Sequence, residues 1–374
     1  MTARTLIDLT SVPANRAGVG RYVDELVAAF DVPVVIACQA EDADHYRRLA
    51  PLATVLPQPG IRPVWRRMLW EQFALPRIAK RAGATVIHSP HYTVPVLTRR
   101  ARVVTLHDAT FFSDPEVHTR VKRVFFRVWI RLSTRLARAI IVPSAATAAE
   151  LGRYTGTAVA RYTVVHHGVD LAVFHPPTPD EAASAAASLG LADAPWIAFL
   201  GTIEPRKNLP ALLEAYGLLA AEWEGSWGAL PTLALAGGDG WGPDITPRIE
   251  AVPSPGRVRR LGYIDLALAH AYLGGSLFVA YPSLGEGFGL PVLEAMASGA
   301  PVLTTPRLAL PEVGGDAVEY SEPDAPALLR AMRRLAADPA LRDRLAAAGT
   351  ARAAQFTWEA CAASHLAVYR SAVR

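Results

Sequence analysis

The sequence predicts an α/β protein of two domains, each built on a mainly parallel β-sheet. Short apolar runs rich in β-branched residues alternate with longer helical patterns along all 374 residues, which is typical of βαβ units. The length fits two domains, and the Pro-rich stretch FHPPTPDEAAS at 174–184 is the predicted linker. We therefore expect two Rossmann-like domains, 1–176 and 177–357, with a final helix, 358–374, that completes the first.

The predicted strands are six apolar runs in each half of the chain. In the first half they are TLIDL, PVVIAC, TVIHS, VVTLH, AIIVPS and YTVVHHG. In the second half they are WIAFLG, TLALAGG, RVRRLGY, SLFVAYPS, APVLTT and AVEY. The last helix is predicted to begin after Thr357, which can cap it. Ligands of such sheets bind beyond the carboxyl ends of the strands, so the loops after these strands are the candidate sites.

Composition and charge exclude several classes of protein. The two cysteines, Cys38 and Cys361, are too few for a disulfide scaffold. No apolar run is long enough to span a membrane, and MTARTLIDLTSV lacks the apolar core of a signal peptide. A cytoplasmic location is therefore expected. The charge is uneven, because residues 1–176 have 23 Lys/Arg and 13 Asp/Glu whereas the rest has 15 and 21. The basic half is expected to meet something anionic.

The first candidate loop is TSVPANRAGVGRY, which follows the strand TLIDL. Gly18 and Gly20 allow the backbone to approach a ligand, and a helix predicted to begin near Tyr22 presents free N–H groups. The alternative is an ordinary turn, since Val23 occupies the third glycine position of the dinucleotide fingerprint G-x-G-x-x-G.

The second candidate loop is GTIEPRKNLPALLEAY (201–216), in which Asn208 can cap a helix that tolerates Pro210 in its first turn. Arg206 and Lys207 lie just before this helix, although cations favour the opposite end of a helix. Their position predicts an anion such as phosphate. The alternative is a pair of solvated surface cations.

The third candidate loop is LGEGFGLPVLEAMASGAPV (284–302). Three glycines free its backbone, and a helix is predicted from Leu290 to a C-terminal glycine, Gly299. Glu286 in the loop and Glu294 in the helix can point into one space above the strand ends. The alternative is a Glu294 favoured by the helix dipole and an exposed Glu286, which leaves the glycines Gly285, Gly287 and Gly289 unexplained.

Several long motifs together resemble one family. EGFGLPVLEAMASGAPV resembles the E-x7-E region of retaining family 4 glycosyltransferases, which have the two-domain GT-B fold. GTIEPRKN resembles their diphosphate-binding loop, HHGVDLAVFHP their interdomain connection, and RLGYIDLALAHAYLGGSLFVAYPS their base-recognition segment. WEQFALP, VIHSPHYTVP and VVTLHDATFF are similar to a bacterial subgroup that often transfers mannose or related sugars. The resemblance implies two Rossmann-like domains that face each other across a cleft.

The resemblance implies that the second domain binds a nucleotide-diphosphate sugar. Glu286 would contact the donor sugar, and Glu294 would accept hydrogen bonds from the ribose hydroxyls. Lys207, with Arg206, would stabilise the departing diphosphate. The remaining donor-binding positions that the resemblance implies, acting through their backbone, are Gly287, Phe288, Gly289, Leu290, Tyr263 and Ile264.

In the first domain, Gly18 and Gly20 would let the backbone approach the same phosphates. His107 would lie beside the reacting sugar with Asp108 next to it, although a histidine that ends a buried strand is as often structural. The implied catalytic residues are Glu286, His107, Asp108 and Lys207.

One departure from the family concerns the diphosphate loop. Many members have an arginine directly after the strand glycine, where this chain has Thr202, and Arg206 is the arginine here instead. The resemblance implies retention of configuration by front-face attack. A double displacement, which needs two carboxyls about 5 Å apart, stays open. No cofactor or metal is expected, because Asp42 and Asp44, which match a D-x-D motif, lie away from the candidate loops.

The segment RVKRVFFRVWIRLSTRLARAI (120–140) predicts a basic amphipathic helix. Its arginines fall on one third of the circumference, and the opposite side has Phe125, Val128, Trp129, Leu132 and Leu136. One interpretation is a helix whose apolar side packs on the core. The other is contact with an anionic membrane surface, worth about 1 kcal/mol per basic residue. No nucleic-acid partner is expected, because no recognition motif accompanies the charge.

The leading hypothesis is a retaining glycosyltransferase of the mannosyltransferase-like subgroup. It would move a sugar, with mannose from GDP-mannose the leading candidate, to a glycan or lipid-linked acceptor. Two alternatives stay open: a sugar-nucleotide epimerase of the same fold, and a binding module without catalysis.

Overall fold

The computed structural model describes residues 3–12, 16, 18–113, 119–223 and 228–373. The contacts within the chain define two compact units. The first is Met1–Gly168 with Thr357–Arg374, and the second is Val169–Phe356. The domain limits expected from the sequence, at 176 and 357, stay a prediction.

The sheet of the first unit has seven parallel strands within the described residues. They are β1 (Thr5–Asp8), β2 (Val35–Gln39), β3 (Thr54–Gln58), β4 (Val86–Ser89), β5 (Ala101–Thr105), β6 (Ala139–Val142) and β7 (Tyr162–Val164). Their order is β3-β2-β1-β4-β5-β6-β7. The six predicted runs are all strands. The sequence analysis missed β3, where Pro57 interrupts the apolar pattern; β3 is an edge strand, where proline is tolerated.

The sheet of the second unit has six parallel strands within the described residues. They are β8 (Trp196–Leu200), β9 (Thr232–Ala236), β10 (Val258–Gly262), β11 (Phe278–Tyr281), β12 (Val302–Thr304) and β13 (Glu319–Tyr320). Their order, β10-β9-β8-β11-β12-β13, matches the doubly wound Rossmann order. Each strand corresponds to a predicted run, so the α/β class with two Rossmann-like units is confirmed.

Helices connect the strands. In chain order they are α1 (Val19–Ala28), α2 (Ala43–Leu49), α3 (Val64–Arg81), α4 (Thr110–Ser113), α5 (Arg120–Leu136), α6 (Ala145–Thr155), α7 (Pro179–Ser188), α8 (Leu209–Ala221), α9 (Thr246–Glu250), α10 (Leu266–Gly274), α11 (Leu290–Ala297), α12 (Leu310–Gly314), α13 (Ala325–Ala337), α14 (Pro339–Ala353) and α15 (Trp358–Ala372). Thr357 caps α15 as predicted, since its Oγ1 accepts a hydrogen bond from Ala360 N at 3.1 Å. In the described part of the chain, no helix is both long and apolar enough to cross a bilayer.

The basic helix α5 packs on the sheet with a side that the sequence analysis did not predict. Its buried residues are Ile130, Ser133 and Thr134, whereas Val128 is 56% exposed. The interpretation that the predicted apolar side packs on the core therefore holds only in part. Leu136 packs against the core cluster of this unit, and Phe125, Trp129 and Leu132 are half-buried. The physical reason lies in polar anchors on the other side: Arg127 Nε donates to the Phe111 carbonyl at 2.6 Å, and Ser133 Oγ donates to a backbone carbonyl at 2.6 Å.

Candidate active site

The loop after β8 presents Arg206 and Lys207. It turns tightly against the loop after β9, since a Cβ on Gly237 would lie 2.0 Å from the Gly201 carbonyl oxygen. A short 3-10 turn, Pro205–Lys207, precedes α8. Asn208 takes the N-cap position with φ 58°, but its side chain donates to the Pro323 carbonyl at 2.7 Å instead of capping. The predicted side-chain cap is therefore wrong, and Asn208 instead joins this loop to the segment before α13.

Lys207 and Glu286 form a buried ion pair in the second unit. Lys207 Nζ lies 2.7 Å from Glu286 Oε1, and the two residues are 6% and 8% exposed. Tyr281 Oη and Ser283 Oγ donate to the same carboxylate oxygen at 2.8 and 2.7 Å. Lys207 also donates to Tyr281 Oη. The carboxylate is thus held by three donors on Oε1 alone.

Arg206 completes the cluster on the other carboxylate oxygen. Its Nη1 donates to Glu286 Oε2 and, at 2.7 Å, to the Gly285 carbonyl. Its Nη2 lies 2.6 Å from Glu204 Oε1. The repulsion that predicted an external anion is therefore offset within the protein by Glu204 and Glu286. The alternative of two solvated surface cations is wrong, because Lys207 is buried and Arg206 is paired.

The charges of this cluster determine which groups are ionised. Burial alone would raise the pKa of Glu286, but Arg206 and Lys207 outweigh it and hold that pKa below its usual value. Burial lowers the pKa of Lys207, and Glu286 acts in the opposite direction. Burial also disfavours the charged form of Arg206, yet Glu286 and Glu204 raise its pKa. Glu286 is an anion here, and it cannot act as a general acid at neutral pH.

The segment after Glu286 leads into α11, which begins at Leu290 as predicted. Gly289 has φ 109°, and a Cβ there would lie 2.9 Å from the Leu310 side chain, so this position requires glycine. Phe288 is buried and packs edge-on to Phe356 at 5.9 Å. Glu294, in the second turn of α11, is 3% exposed. The segment between Glu286 and Glu294 thus contains the predicted donor-binding residues Gly287, Phe288, Gly289 and Leu290.

Tyr263 and Ile264 lie in the loop between β10 and α10. Tyr263 is 79% exposed, whereas Ile264 is 8% exposed and belongs to the core of the second unit. Gly237 N donates to the Gly262 carbonyl at 2.7 Å, so this loop lies beside the loop that follows β9. The side chains of Tyr263 and Ile264 take no part in the Arg206–Lys207–Glu286 cluster.

In the first unit, Gly18 and Gly20 lie at the start of α1. The helix begins at Val19, three residues earlier than predicted. Gly18 is its N-cap, with φ 57°, a conformation that favours glycine. A Cβ on Gly20 would lie 3.3 Å from Arg16 Cβ. Gly20 therefore packs closely against Arg16 within the first unit.

His107 and Asp108 follow β5 and are both held by local hydrogen bonds. His107 Nε2 donates to the Pro90 carbonyl at 2.7 Å, a carbonyl being able only to accept, and burial lowers the pKa of His107. Asp108 Oδ1 accepts from Thr110 N at 3.0 Å and Thr110 Oγ1 at 2.8 Å. Asp108 thereby fixes the turn into α4, and His107 is held as a neutral imidazole with its proton on Nε2.

A buried polar cluster that the sequence analysis did not assign joins α15 to the first sheet. Tyr22 Oη lies 2.8 Å from His365 Nε2, and Tyr369 Oη lies 2.8 Å from His88 Nδ1. His107 stacks edge-on to Tyr22 at 4.9 Å. The cluster explains why the last helix belongs to the first unit.

Asp42 and Asp44, the residues of the D-x-D match, each have a basic partner. Asp42 Oδ1 lies 2.7 Å from Arg16 Nη2, and Asp44 Oδ1 lies 2.6 Å from Arg47 Nη1. Among the residues that the structure describes, no three His, Cys, Asp or Glu side chains are grouped to hold a metal ion. These two carboxylates are occupied by arginines.

Known proteins match the chain along nearly its whole length. The family model described as Glycosyltransferase Family 4 matches residues 16–173, and that described as Glycosyl transferases group 1 matches 194–338. O-antigen chain mannosyltransferase B of Escherichia coli is 31% identical over 95% of this chain and 93% of its own length. D-inositol 3-phosphate glycosyltransferase of Streptomyces griseus is 32% identical over 63% of this chain and 54% of its own length.

Solved structures share the fold. Anabaena HepE in complex with UDP and glucose has a TM-score of 0.78 at 18% identity, covering 99% of this chain and 100% of HepE. WaaG, a glycosyltransferase involved in lipopolysaccharide biosynthesis, has a TM-score of 0.72 at 14% identity, covering 97% and 99%. These likenesses confirm the GT-B fold that the sequence motifs implied. The chain is a glycosyltransferase and belongs to the family whose two halves are the family 4 and group 1 glycosyltransferase domains.

Proposed function

We propose that this glycosyltransferase moves a sugar from a nucleotide-diphosphate donor to a hydroxyl of a glycan or lipid-linked acceptor with retention of configuration. GDP-mannose is the proposed donor, and mannose is the sugar transferred. The mannosyltransferase name of the Escherichia coli relative supports the sugar, and the UDP and glucose in HepE support a nucleotide-linked donor. We further propose a cytoplasmic enzyme that contacts an anionic membrane surface through residues 120–140.

The buried cluster of Arg206, Lys207 and Glu286 is the observation that supports this function best. Arg206 and Lys207 hold two positive charges at fixed positions beyond the end of β8. Such preorganised charges can stabilise a departing diphosphate once Glu286 turns from one of them to the donor sugar. In the proposed mechanism Lys207 contacts the diphosphate. Arg206 holds Glu286, and Glu286 binds donor sugar hydroxyls by exchanging one of its present donors for the sugar.

The other predicted roles are proposals of the same kind. Glu294 binds the ribose hydroxyls, and backbone groups of Phe288, Gly289 and Leu290 bind the sugar and phosphate. Tyr263 or Ile264 contacts the base through its main chain. In the first unit, Gly18 and Gly20 let the backbone approach the phosphates, and His107 lies beside the reacting sugar. Asp108, next to it, fixes the turn that follows.

The reaction is proposed to need no metal or other cofactor. In metal-dependent sugar transfer the cation neutralises the diphosphate, and here Lys207 and Arg206 supply positive charge at the corresponding step. Glu286 is an anion whose two oxygens accept hydrogen bonds from four side chains. We therefore propose that it exchanges one of these donors for a sugar hydroxyl and forms no covalent intermediate, which favours front-face attack.

Release of nucleotide from a panel of GDP-, UDP-, ADP- and dTDP-sugars, in the presence of EDTA, tests this function. We expect slow hydrolysis of GDP-mannose alone, unaffected by the chelator, and faster release once an acceptor is supplied. Conversion of the donor into its epimer without release of nucleotide would favour the epimerase. Binding without any turnover, with glycan and lipid acceptors present, would favour a binding module. Loss of activity in EDTA would contradict the metal-free mechanism.

A further inference from the structure

We infer that the first unit docks on an anionic phospholipid surface through the outward sides of two helices, α3 and α5, used together. The six apolar side chains of this surface, called the docking face below, are Trp65, Leu69, Phe73, Val121, Val124 and Val128. The inference deepens the membrane contact proposed for residues 120–140 and changes which residues make it. It rests on the proposed function, because docking would bring the enzyme to a lipid-linked acceptor.

Each helix turns a strip of apolar side chains to the solvent. On α3, Trp65, Leu69 and Phe73 recur at every fourth residue and are 62%, 52% and 52% exposed. Residues at this spacing lie on one side of a helix.

On α5, Val121, Val124 and Val128 follow the i, i+3, i+7 pattern and are 80%, 60% and 56% exposed. A single exposed apolar residue needs no explanation, but two ordered strips on neighbouring elements do.

The two strips belong to one face of the first sheet. α3 connects β3 to β4 and α5 connects β5 to β6, and both connections run in the same direction across the sheet. Right-handed crossovers therefore place both helices on the same face. The packing agrees: Ile87 of β4 packs in the cluster that includes α3, and Val104 of β5 packs in the cluster that includes α5. Val104 pairs with Ser89, which points to the same side as Ile87 because side chains alternate along a strand.

The segment between β4 and β5 links the two helices that carry the docking face. The Gln72 side chain of α3 accepts from Val96 N at 2.7 Å and donates to the Val94 carbonyl at 3.2 Å. Ser133 of α5 donates to the Tyr92 carbonyl at 2.6 Å. Leu97, in the same segment, is 59% exposed. These hydrogen bonds tie the segment that carries Leu97 to both helices.

The charges around the docking face identify its occupant. Residues 72–107 and 119–149 contain no Asp or Glu, and the one acidic residue of α3, Glu71, is buried and paired with Arg67. Exposed basic residues on these helices include Arg66, Lys80, Arg131 and Arg135. Asp114 and Glu116 precede α5 and lie outside the described residues. Apolar strips with Trp and Phe on two helices whose exposed charges are basic match the boundary between lipid headgroups and acyl chains. A neutral protein partner would not require the basic surround.

Flotation of the full chain with lipid vesicles tests this inference without using activity. The probes are vesicles of phosphatidylcholine alone and vesicles with about one third phosphatidylglycerol. We expect binding to the anionic vesicles that weakens with salt, because each basic residue near such a surface contributes about fivefold to binding. Arg131→Gln with Arg135→Gln should therefore bind roughly 25-fold more weakly. Val124→Asn with Val128→Asn, and Leu69→Asn with Phe73→Asn, should each lose most of the binding.

Matched variants on other surfaces of the first unit serve as controls. Arg47→Gln with Arg48→Gln removes two exposed charges from α2, and Leu52→Asn with Val159→Asn removes two apolar residues that are 53% and 54% exposed. Both pairs should bind within about twofold of the wild type. Thermal unfolding should be unchanged in all variants, because each altered side chain is exposed.

Three outcomes would overturn the inference. In the first, the wild type does not float with the anionic vesicles. In the second, the control pairs lose as much binding as the docking-face pairs. In the third, light scattering shows a dimer formed through the docking face, and this dimer has no affinity for vesicles. Failure of the proposed function is distinguishable, because it would leave vesicle binding intact while abolishing release of nucleotide from every donor.

Discussion

The ammonium group of Lys207 lies 2.7 Å from Oε1 of Glu286, and Tyr281 and Ser283 donate to that same oxygen. Both charged residues are buried. The positive charges at this end of the second sheet are thus positioned before any ligand arrives, and the cost of burying them is offset by their carboxylate partners. The contacts of this pair lead to the following predictions.

Glu286→Gln should destabilise the second unit strongly. The amide keeps the shape of the side chain but leaves Lys207 and Arg206 without their shared carboxylate, and breaking a buried ion pair costs about 3–5 kcal/mol. Urea unfolding followed by fluorescence measures the change. Glu250→Gln, at an exposed position of α9, should change the free energy of unfolding by less than about 0.5 kcal/mol. Equal midpoints for the two variants would contradict the prediction.

Tyr281→Phe should lower turnover more than donor binding. The tyrosine hydroxyl bridges Lys207 and Glu286, and a hydrogen bond to a charged group contributes about 1.5–3 kcal/mol. We expect kcat to fall roughly 10- to 100-fold while the donor KM changes by less than about threefold.

Tyr272→Phe is the matched control for that variant. Tyr272 Oη lies 2.8 Å from the Ala234 carbonyl and 3.0 Å from the Phe199 carbonyl, buried but apart from the cluster. It should lose comparable stability and keep its turnover. A Tyr281→Phe enzyme as active as the wild type would show that the hydroxyl does not position Lys207.

Acidification should loosen the first unit before the second. Burial lowers the pKa of five histidines in the first unit: His88, His91, His107, His167 and His365. Because their folded-state pKa lies below the usual 6.5, their contribution to stability is present above pH 6.5. It is lost as the pH falls, at up to about 1.4 kcal/mol per histidine between pH 7.5 and 5.5.

Glu286 responds in a lower pH range. Burial opposes its ionisation, Arg206 and Lys207 outweigh that effect, and its folded-state pKa lies below 4.5. Its contribution is therefore present above pH 4.5 and is lost only as the pH falls below that value. Hydrogen exchange by mass spectrometry at pH 7.5 and 5.5 reports each unit separately. Earlier loss of protection in the second unit would be the opposite of this expectation.

Much of the fold could be predicted because apolar runs, glycines and prolines act locally. The helix α11 begins at Leu290 and is followed by Gly299 with φ 75°, as the sequence indicated. β3 was missed because Pro57 breaks its pattern, although an edge strand tolerates proline. The sequence also could not show which side of α5 is buried. That orientation depends on tertiary hydrogen bonds of Arg127 and Ser133.

Part of the candidate site could be predicted because its residues lie in short loop motifs. Arg206, Lys207 and Glu286 were chosen from loop motifs, and the structure brings all three together. Tyr281 was missed because a tyrosine at the end of a buried strand resembles a core residue. Glu204 was missed as well. A polar hydroxyl at the carboxyl end of the central strand β11 was the available signal. The pairing of Arg206 with Glu204 depends on a turn that spacing alone does not specify.

Calorimetric titration of GDP into the wild type, Lys207→Ala and Glu250→Gln shows whether Lys207 contacts the diphosphate. We expect the wild type and the Glu250→Gln control to bind GDP alike. Lys207→Ala should bind at least tenfold more weakly, because it loses a charge-assisted contact to the diphosphate. Urea unfolding confirms beforehand that the variant is folded. Equal affinity of Lys207→Ala and the wild type for GDP would show that the buried cluster is not the diphosphate site.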